Sequence, residues 1–489
     1  MKTSTRKILG CIVWGGFSLV TSYFVSLQFV KLAEAAPAPL LTDGEIMVRL
    51  IALPVVLAAL VVALIAGTAP TSAAPVLAAA KPAVPPPPFI AQVVGLQWLN
   101  PLQRVDYPTE WQLLWTMGLV KPNAEDAKVK QKPEKYTKVQ IVGDIAYGND
   151  GKETFKGYHH KYISELITPF RDIYFTDSSY FYNAHSLTDR STWRELAGIH
   201  VEYALPEGKL DPAKAVEATR EEIIGAFDIG NKSFPNAWSR PTAPDVRVTM
   251  GGANAGFSSL AAGLTYLQSH PTETVWVMNW DAPSRPLDAQ INENMVLLFL
   301  AGPGYKTGRA PLAWLGQPAS ARVADFERKA DLPPRLVQAW KAVFDKATAQ
   351  AQKQAIDIGF IIHDANNVHG DSSDRLAGLA RTATETVPEF DFVKQTFNTP
   401  ALLGEMGAGT ALTNVALAIA YANHFGKTVL VAGTTDTDNP TATVVTPPAV
   451  VRPLDPEKPW FRARSIIHVH LPWWGARFDA KDQIQGYSR

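Results

Sequence analysis

Cysteine is almost missing from this 489-residue chain: Cys11 is the only one. One thiol cannot form an intrachain disulfide, and it cannot supply a thiolate cluster for zinc or iron–sulfur. A soluble part without cysteine fits a reducing compartment. The chain also lacks a charge excess, because 46 Lys and Arg are balanced by 46 Asp and Glu. Nucleic acid and acidic membrane surfaces recruit surplus basic residues, so the balance removes the usual reason to expect either as a partner. Histidine is scarce too, with 10 in all. The pairs His159–His160 and His468/His470 have no Asp, Glu or further His at ligand spacing, so no metal and no cofactor are expected.

What is abundant is concentrated near the N-terminus. Residues 8–30 carry no charge over 23 positions, and 50–67 carry none over 18. The first run is long enough for a hydrocarbon core of about 30 Å at 1.5 Å per residue. The second, with Pro54 near its start, is just long enough. Both exceed the roughly 7–15 apolar residues of a cleaved signal peptide, which is the competing reading. Lys2, Arg6 and Lys7 precede the first run and favour a cytoplasmic N-terminus; two spans then return the chain to the cytoplasm. The expectation is a two-helix anchor over 1–67, in the inner membrane, with the main domain cytoplasmic. An Ala/Pro-rich tether over 68–88 follows, ending in four consecutive prolines, and composition of that kind makes a semi-rigid, extended spacer. Residues 89–137 read as a connecting segment whose Trp98, Trp111 and Trp115 need something to pack against.

From residue 138 onward strands alternate with helices. Strands are expected over 139–142, 199–205, 246–250, 274–279, 296–300, 358–363, 428–432 and 442–445, and helices over 211–227, 256–269, 334–355, 373–384 and 409–425. Asp211-Pro212 is a helix start, an N-cap acid before a first-turn proline. The alternation predicts an α/β fold with at least one mostly parallel sheet. There is an internal echo: residues 251–281 and 404–433 each read as a small-residue turn, an Ala/Leu-rich helix and a strand, with starts 153 residues apart. Two similar halves, 138–302 and 303–489, account for it. The C-terminal stretch 460–474 is aromatic and reads as an edge strand or a contact surface; 174–182 is similarly aromatic and reads as core or interface.

Three places carry candidate chemistry. The turn Gly251-Gly252-Ala253-Asn254-Ala255-Gly256 follows a strand and opens a helix, where free N–H groups can cradle an anion, but it fits neither dinucleotide nor P-loop spacing. Tight helix–sheet packing is the plainer reading. His369, in Asn366-Asn367-Val368-His369-Gly370-Asp371, follows an apolar strand and is placed for general-base work or for a structural role. Glu405, in Gly404-Glu405-Met406-Gly407, reads as an acid or as a charge at a helix N-terminus.

Together these pieces resemble the thiolase superfamily, and the β-ketoacyl synthases in particular, over about 138–447. The resemblance implies two similar halves in a five-layered αβαβα arrangement. It places Ala253 where the nucleophilic cysteine should stand, retains His369, and puts Gly404 in place of the second histidine, so that Ala253, His369, Gly404 and Glu405 mark a degenerate former active site. Alanine cannot attack a thioester and glycine cannot donate from a side chain, so the chain reads as a pseudoenzyme. A membrane hairpin before such a domain is also similar to the type VI lipase adapter proteins of Gram-negative bacteria. That resemblance implies binding of a lipase-type toxin effector and loading onto a secretion-spike protein. A homodimer is implied by the thiolase likeness alone. The alternatives are a non-catalytic acyl-chain or lipid binder that keeps the old substrate tunnel, and an enzyme with altered acyl chemistry using His369 and Glu405.

Overall fold

The computed structural model describes residues 87–99, 107–136, 200–227, 243–282, 293–306, 310–365, 372–455 and 472–474, together with Ile163, Leu166, Ile167 and Trp460. The two apolar N-terminal runs, the expected strand at 139–142, the aromatic stretch 174–182, His369 and both histidine pairs lie outside the described residues. Among the described residues no helix is long and apolar enough to cross a membrane.

Residues 86–489 cluster as one compact unit. Its strands are β1 (Ile90–Leu99), β2 (His200–Pro206), β3 (Asp245–Gly251), β4 (Thr274–Asp281), β5 (Asn294–Ala301), β6 (Trp314–Gly316), β7 (Ala319–Ser320), β8 (Ile358–His363), β9 (Thr396–Asn398), β10 (Thr428–Gly433), β11 (Thr441–Thr446) and β12 (Trp473–Trp474). The main helices are α1 (Thr109–Thr116), α2 (Pro212–Phe227), α3 (Ala255–Ser269), α4 (Arg335–Gln350), α5 (Ser372–Thr386) and α6 (Thr410–Phe425).

One mixed sheet runs β3-β2-β4-β5-β1-β6-β11-β10-β8-β9. Its two ends repeat one pattern. β2 pairs in parallel with β3 and β4, and β4 is antiparallel to β5. Likewise β8 pairs in parallel with β9 and β10, and β10 is antiparallel to β11. The sequence echo is this repeat, with α3 leading into β4 as α6 leads into β10.

Burial explains the helices. α3 and α6 are rich in Ala and Leu and lie together in the central apolar cluster, α3 on β2 and β4, α6 on β10 and β11. A helix apolar on nearly every side can only be stable when packed on nearly every side. Where the two helices meet, Gly256 faces Ala411 and Leu412. A Cβ on it would come within 2.9 Å of the Ala411 Cβ, so only glycine permits that approach. α4 is amphipathic instead, burying Val337, Trp340, Val343, Phe344 and Ala347 as one stripe over the opposite face of β10 and β11. α2 begins as its sequence promises, with Asp211 Oδ1 accepting from the N–H groups of Ala213 (2.9 Å) and Lys214 (3.2 Å).

The segment read as a connection, 89–137, contains the central strand. β1 is antiparallel to both β5 and β6 and so joins the two repeats. Its tryptophans find their packing: Trp98 is wholly buried, and Trp111 of α1 stacks on Tyr107 (3.7 Å) and Trp115 (4.9 Å). Of the aromatic C-terminal stretch, Trp473 and Trp474 form β12 and pair to Leu96 and Gly95 of β1.

Candidate functional site

The two small-residue turns meet at the junction of the repeats. The first, between β3 and α3, holds Ala253 half-buried, with the Ala255 N–H donating to Gly252 O (2.9 Å). The second precedes α6. Gly404 adopts φ +74° and ψ −175°, a conformation that side-chain-bearing residues avoid, and the half-buried Glu405 follows it. Besides the Gly256 contact with Ala411 and Leu412, Ala204, Ala255 and Ala408 form one buried cluster. Asn254 Oδ1 and the Phe257 ring fill the space where a Cβ on Gly433, at the end of β10, would stand. The structure thus brings the Ala253 turn and the Gly404–Glu405 turn to one junction; His369 lies outside the described residues.

The backbone of the second turn is held by side chains from β4. Asp281 Oδ2 accepts from the Ala408 N–H at 2.9 Å, and Oδ1 accepts from Lys209 Nζ (2.8 Å) and Ala282 N–H (2.7 Å). Burial pushes the Asp281 carboxyl above the usual carboxylate range, and the charge of Lys209 offsets this only in part. Two residues earlier, on the same face of the strand, Asn279 Nδ2 donates to Gly409 O (2.7 Å) while its Oδ1 accepts from Val296 N–H (3.1 Å). Asn294 Nδ2 reaches Thr413 Oγ1 (2.9 Å) and Met406 Sδ (2.7 Å). At the start of α6 the positive end of the helix therefore already has its anion, Asp281. An oxyanion arriving at the Ala408 N–H would have to displace a carboxylate held by three donors.

A second buried carboxyl closes the β8 side. Asp364 accepts from Thr434 N–H (2.5 Å), Thr434 Oγ1 (2.8 Å) and Thr435 Oγ1 (2.9 Å), and burial raises it above its ordinary range. His363 beside it is buried, and burial pulls it down to about 4, so its ring is neutral and Nδ1 accepts from the Ala365 N–H (3.3 Å). Among the described residues no group of three or more His, Cys, Asp or Glu is arranged to hold a metal ion. Asn279, Asp281, Lys209, Asn294 and Asp364 were not singled out in the sequence. The one visible signal was Asn279 and Asp281, two polar residues spaced by two at the end of an otherwise apolar strand.

The geometry defines a class: a mixed α/β protein of repeated strand pattern whose central turns are closed by its own side chains. Residues 312–447 match the family model described as Type VI lipase adapter protein Tla3, C-terminal. No curated protein sequence matches the chain. Its fold resembles ketosynthase structures. One is the oxazolomycin ketosynthase domain OzmH KS8 of Streptomyces albus JA3453, at 13% identity and TM-score 0.42 over 76% of this chain and 99% of that one. Another is the ketosynthase from module 6 of the bacillaene synthase of Bacillus subtilis 168, at 9% identity and TM-score 0.45 over 75% of this chain and 71% of that one.

Proposed function

We propose that this chain is a non-catalytic, membrane-anchored adapter that binds a lipase-type toxin effector and helps load it onto a type VI secretion spike. The match of 312–447 to the adapter family model carries the adapter role. The non-catalytic half draws on the junction: Ala253 has no nucleophilic atom, Gly404 has no side-chain donor, and the Ala408 N–H is taken by Asp281. The sole cysteine, Cys11, falls in the first apolar run, which supports a thiolase-like pseudoenzyme.

In this reading 1–67 anchors the chain in the inner membrane, 68–88 tethers it, and 138–302 and 303–489 are the two halves of a five-layered thiolase-like domain in the cytoplasm. The strand pattern repeated at the two ends of the sheet, each end with its own apolar cluster, supports two similar halves. The test is a pull-down of tagged full-length chain from native cells in mild detergent, read by mass spectrometry. Recovery of a lipase-like toxin or a spike component supports the adapter. Acyl lipid without any protein client overturns it in favour of a lipid-binding relic.

A further inference from the structure

Four large apolar side chains stay uncovered around one end of the molecule. Ile356, Val393, Phe425 and Val450 expose 58, 89, 39 and 68% of their surface. They gather round the start of β8. Ile356 lies two residues before it, and the stem of Lys427 lies against Gly359 within the strand. Gln395, two residues after Val393, donates from Nε2 to Gly359 O (3.3 Å). Phe425 stacks on Tyr421 (4.7 Å), which stacks on Phe360 of β8 (3.9 Å). Val451, next to Val450, packs against Gly426. Exposed Lys353, Lys427 and Arg452 stand among them beside exposed Asp357, Glu389 and Asp455, while Asp391 is paired with Lys394 (2.9 Å). Apolar side chains rimmed by long basic ones suit a headgroup boundary, with stems in the acyl region and ammonium groups at the phosphates.

The path of the chain names the occupant. Gln352 Nε2 donates to Pro88 O at 2.8 Å, so the Ala/Pro-rich stretch 68–88 ends four residues along the chain from Ile356. Before that stretch come the two apolar runs, 8–30 and 50–67. We infer that this end of the molecule docks on the bilayer in which those runs are anchored, an inference that rests on the anchor reading above. Twenty-one residues reach at most roughly 70–75 Å. Within that radius a patch too weak to hold a free protein is held by effective concentration. Each basic residue brought to an anionic surface raises the affinity about fivefold.

Docking fixes an orientation. β8 and β10 are parallel, so their starts carry the patch while their ends carry Asp364, Thr434 and the junction with the two small-residue turns. The junction end then points away from the lipid.

The test uses full-length chain with Cys11→Ser and a polarity-sensitive label at Val393→Cys, reconstituted into phosphatidylethanolamine/phosphatidylglycerol vesicles. A second preparation carries the label at Lys214→Cys on α2. The expected result is a blue-shifted Val393 label, quenched by brominated lipid, with the Lys214 label unchanged. Phe425→Asp with Val450→Asp should abolish the shift while the chain still floats with the vesicles. Flotation with an unshifted Val393 label overturns docking and leaves the anchor standing, as does protection of Val393 by a protein client instead of lipid. Failure to float overturns the anchor reading, and the docking with it.

Discussion

Asp281, the last residue of β4, accepts a hydrogen bond at 2.9 Å from the backbone N–H of Ala408, 127 positions later in the chain. One carboxylate thereby ties the first strand repeat to the turn that starts the buried helix of the second.

Asp281→Ala removes an acceptor shared by Ala408, Ala282 and Lys209. Breaking a buried pair costs about 3–5 kcal/mol. Lys209 is 18% exposed and recovers some hydration, so the expected loss is at the lower end, about 3 kcal/mol. Lys209→Ala in the same chain should add little further, because the two share one interaction. Urea unfolding of the single and double variants checks this, and fully additive losses would show that the pair is not coupled.

His363 gives the fold a pH dependence of known sign. Its folded value lies at about 4 against an ordinary 6.5, because burial disfavours the charged ring. Below pH 6.5 the unfolded chain takes up a proton that the folded chain refuses, so this group's contribution falls as pH drops from 6.5 toward 4. The full loss is about 3 kcal/mol. Asp364 acts in the opposite sense: its carboxyl is raised by burial, so its contribution is present below the ordinary carboxylate value and fades as pH rises through its folded value. His363→Asn keeps an acceptor for the Ala365 N–H and removes the titration. Subtracting the variant's stability from the wild type's across pH 4–7 should leave a difference that falls toward acid. A flat difference would place His363 in contact with water.

Much of this architecture is legible in the amino-acid sequence. β2, β3, β4, β5, β8, β10 and β11 announce themselves as apolar runs, and α3 and α6 as Ala/Leu-rich helices behind small-residue turns. β1 does not, although it is the longest strand described. Its sequence is broken by Gln92 and Gln97, both buried, and by Gly95. Gln92 is satisfied by Gly302 O (2.8 Å) and Tyr305 O (2.7 Å), more than 200 positions away. A polar residue whose partner lies that far along the chain looks like a solvated one in sequence. β6, β7, β9 and β12 are two or three residues each, too short to show a period. In the candidate site the turns are visible through their glycines and alanines. What fills them is not, because Asp281 and Asn294 reach residues more than 110 positions away.

The carboxyl of Glu110 on α1 lies against the ring of His424 in the last turn of α6, Oε1 to Nε2 at 3.0 Å and both buried, with the His424 ring parallel to Trp473 at 5.8 Å and its Nδ1 donating to Arg452 O (2.9 Å). Glu110→Ala leaves a buried ring nitrogen without its polar neighbour and should cost about 1–3 kcal/mol. Glu110→Leu with His424→Leu should cost less than either single change, since no buried polar group is then left without its neighbour. Thermal melts of the single and double variants decide it; a double variant worse than both singles would mean that the polar contact outweighs its desolvation.

The crossing of α3 and α6 is tested at Gly256. The Ala411 side chain lies 2.9 Å from where a Cβ on this glycine would fall, with Leu412 Cγ at 3.2 Å and Leu412 N at 3.3 Å. The first atom is a methyl fixed to a buried helix and the third is backbone, so neither yields as the tip of a flexible side chain would. Gly256→Ala gains helix propensity of about 1 kcal/mol, yet the overpacking costs roughly 1–3 kcal/mol. The net effect is a modest loss, opposite in sign to the same change at an exposed helical glycine such as Gly225, where nothing lies within 4 Å. Ala411→Gly should recover stability in the Gly256→Ala background while lowering it in the wild type, because only there does it relieve a clash. That reversal of sign in a double-mutant cycle by denaturant unfolding is specific to contact between the two helices. Additive effects would mean that α3 and α6 stand farther apart than a methyl's width, and the closed junction between the two turns would open with them.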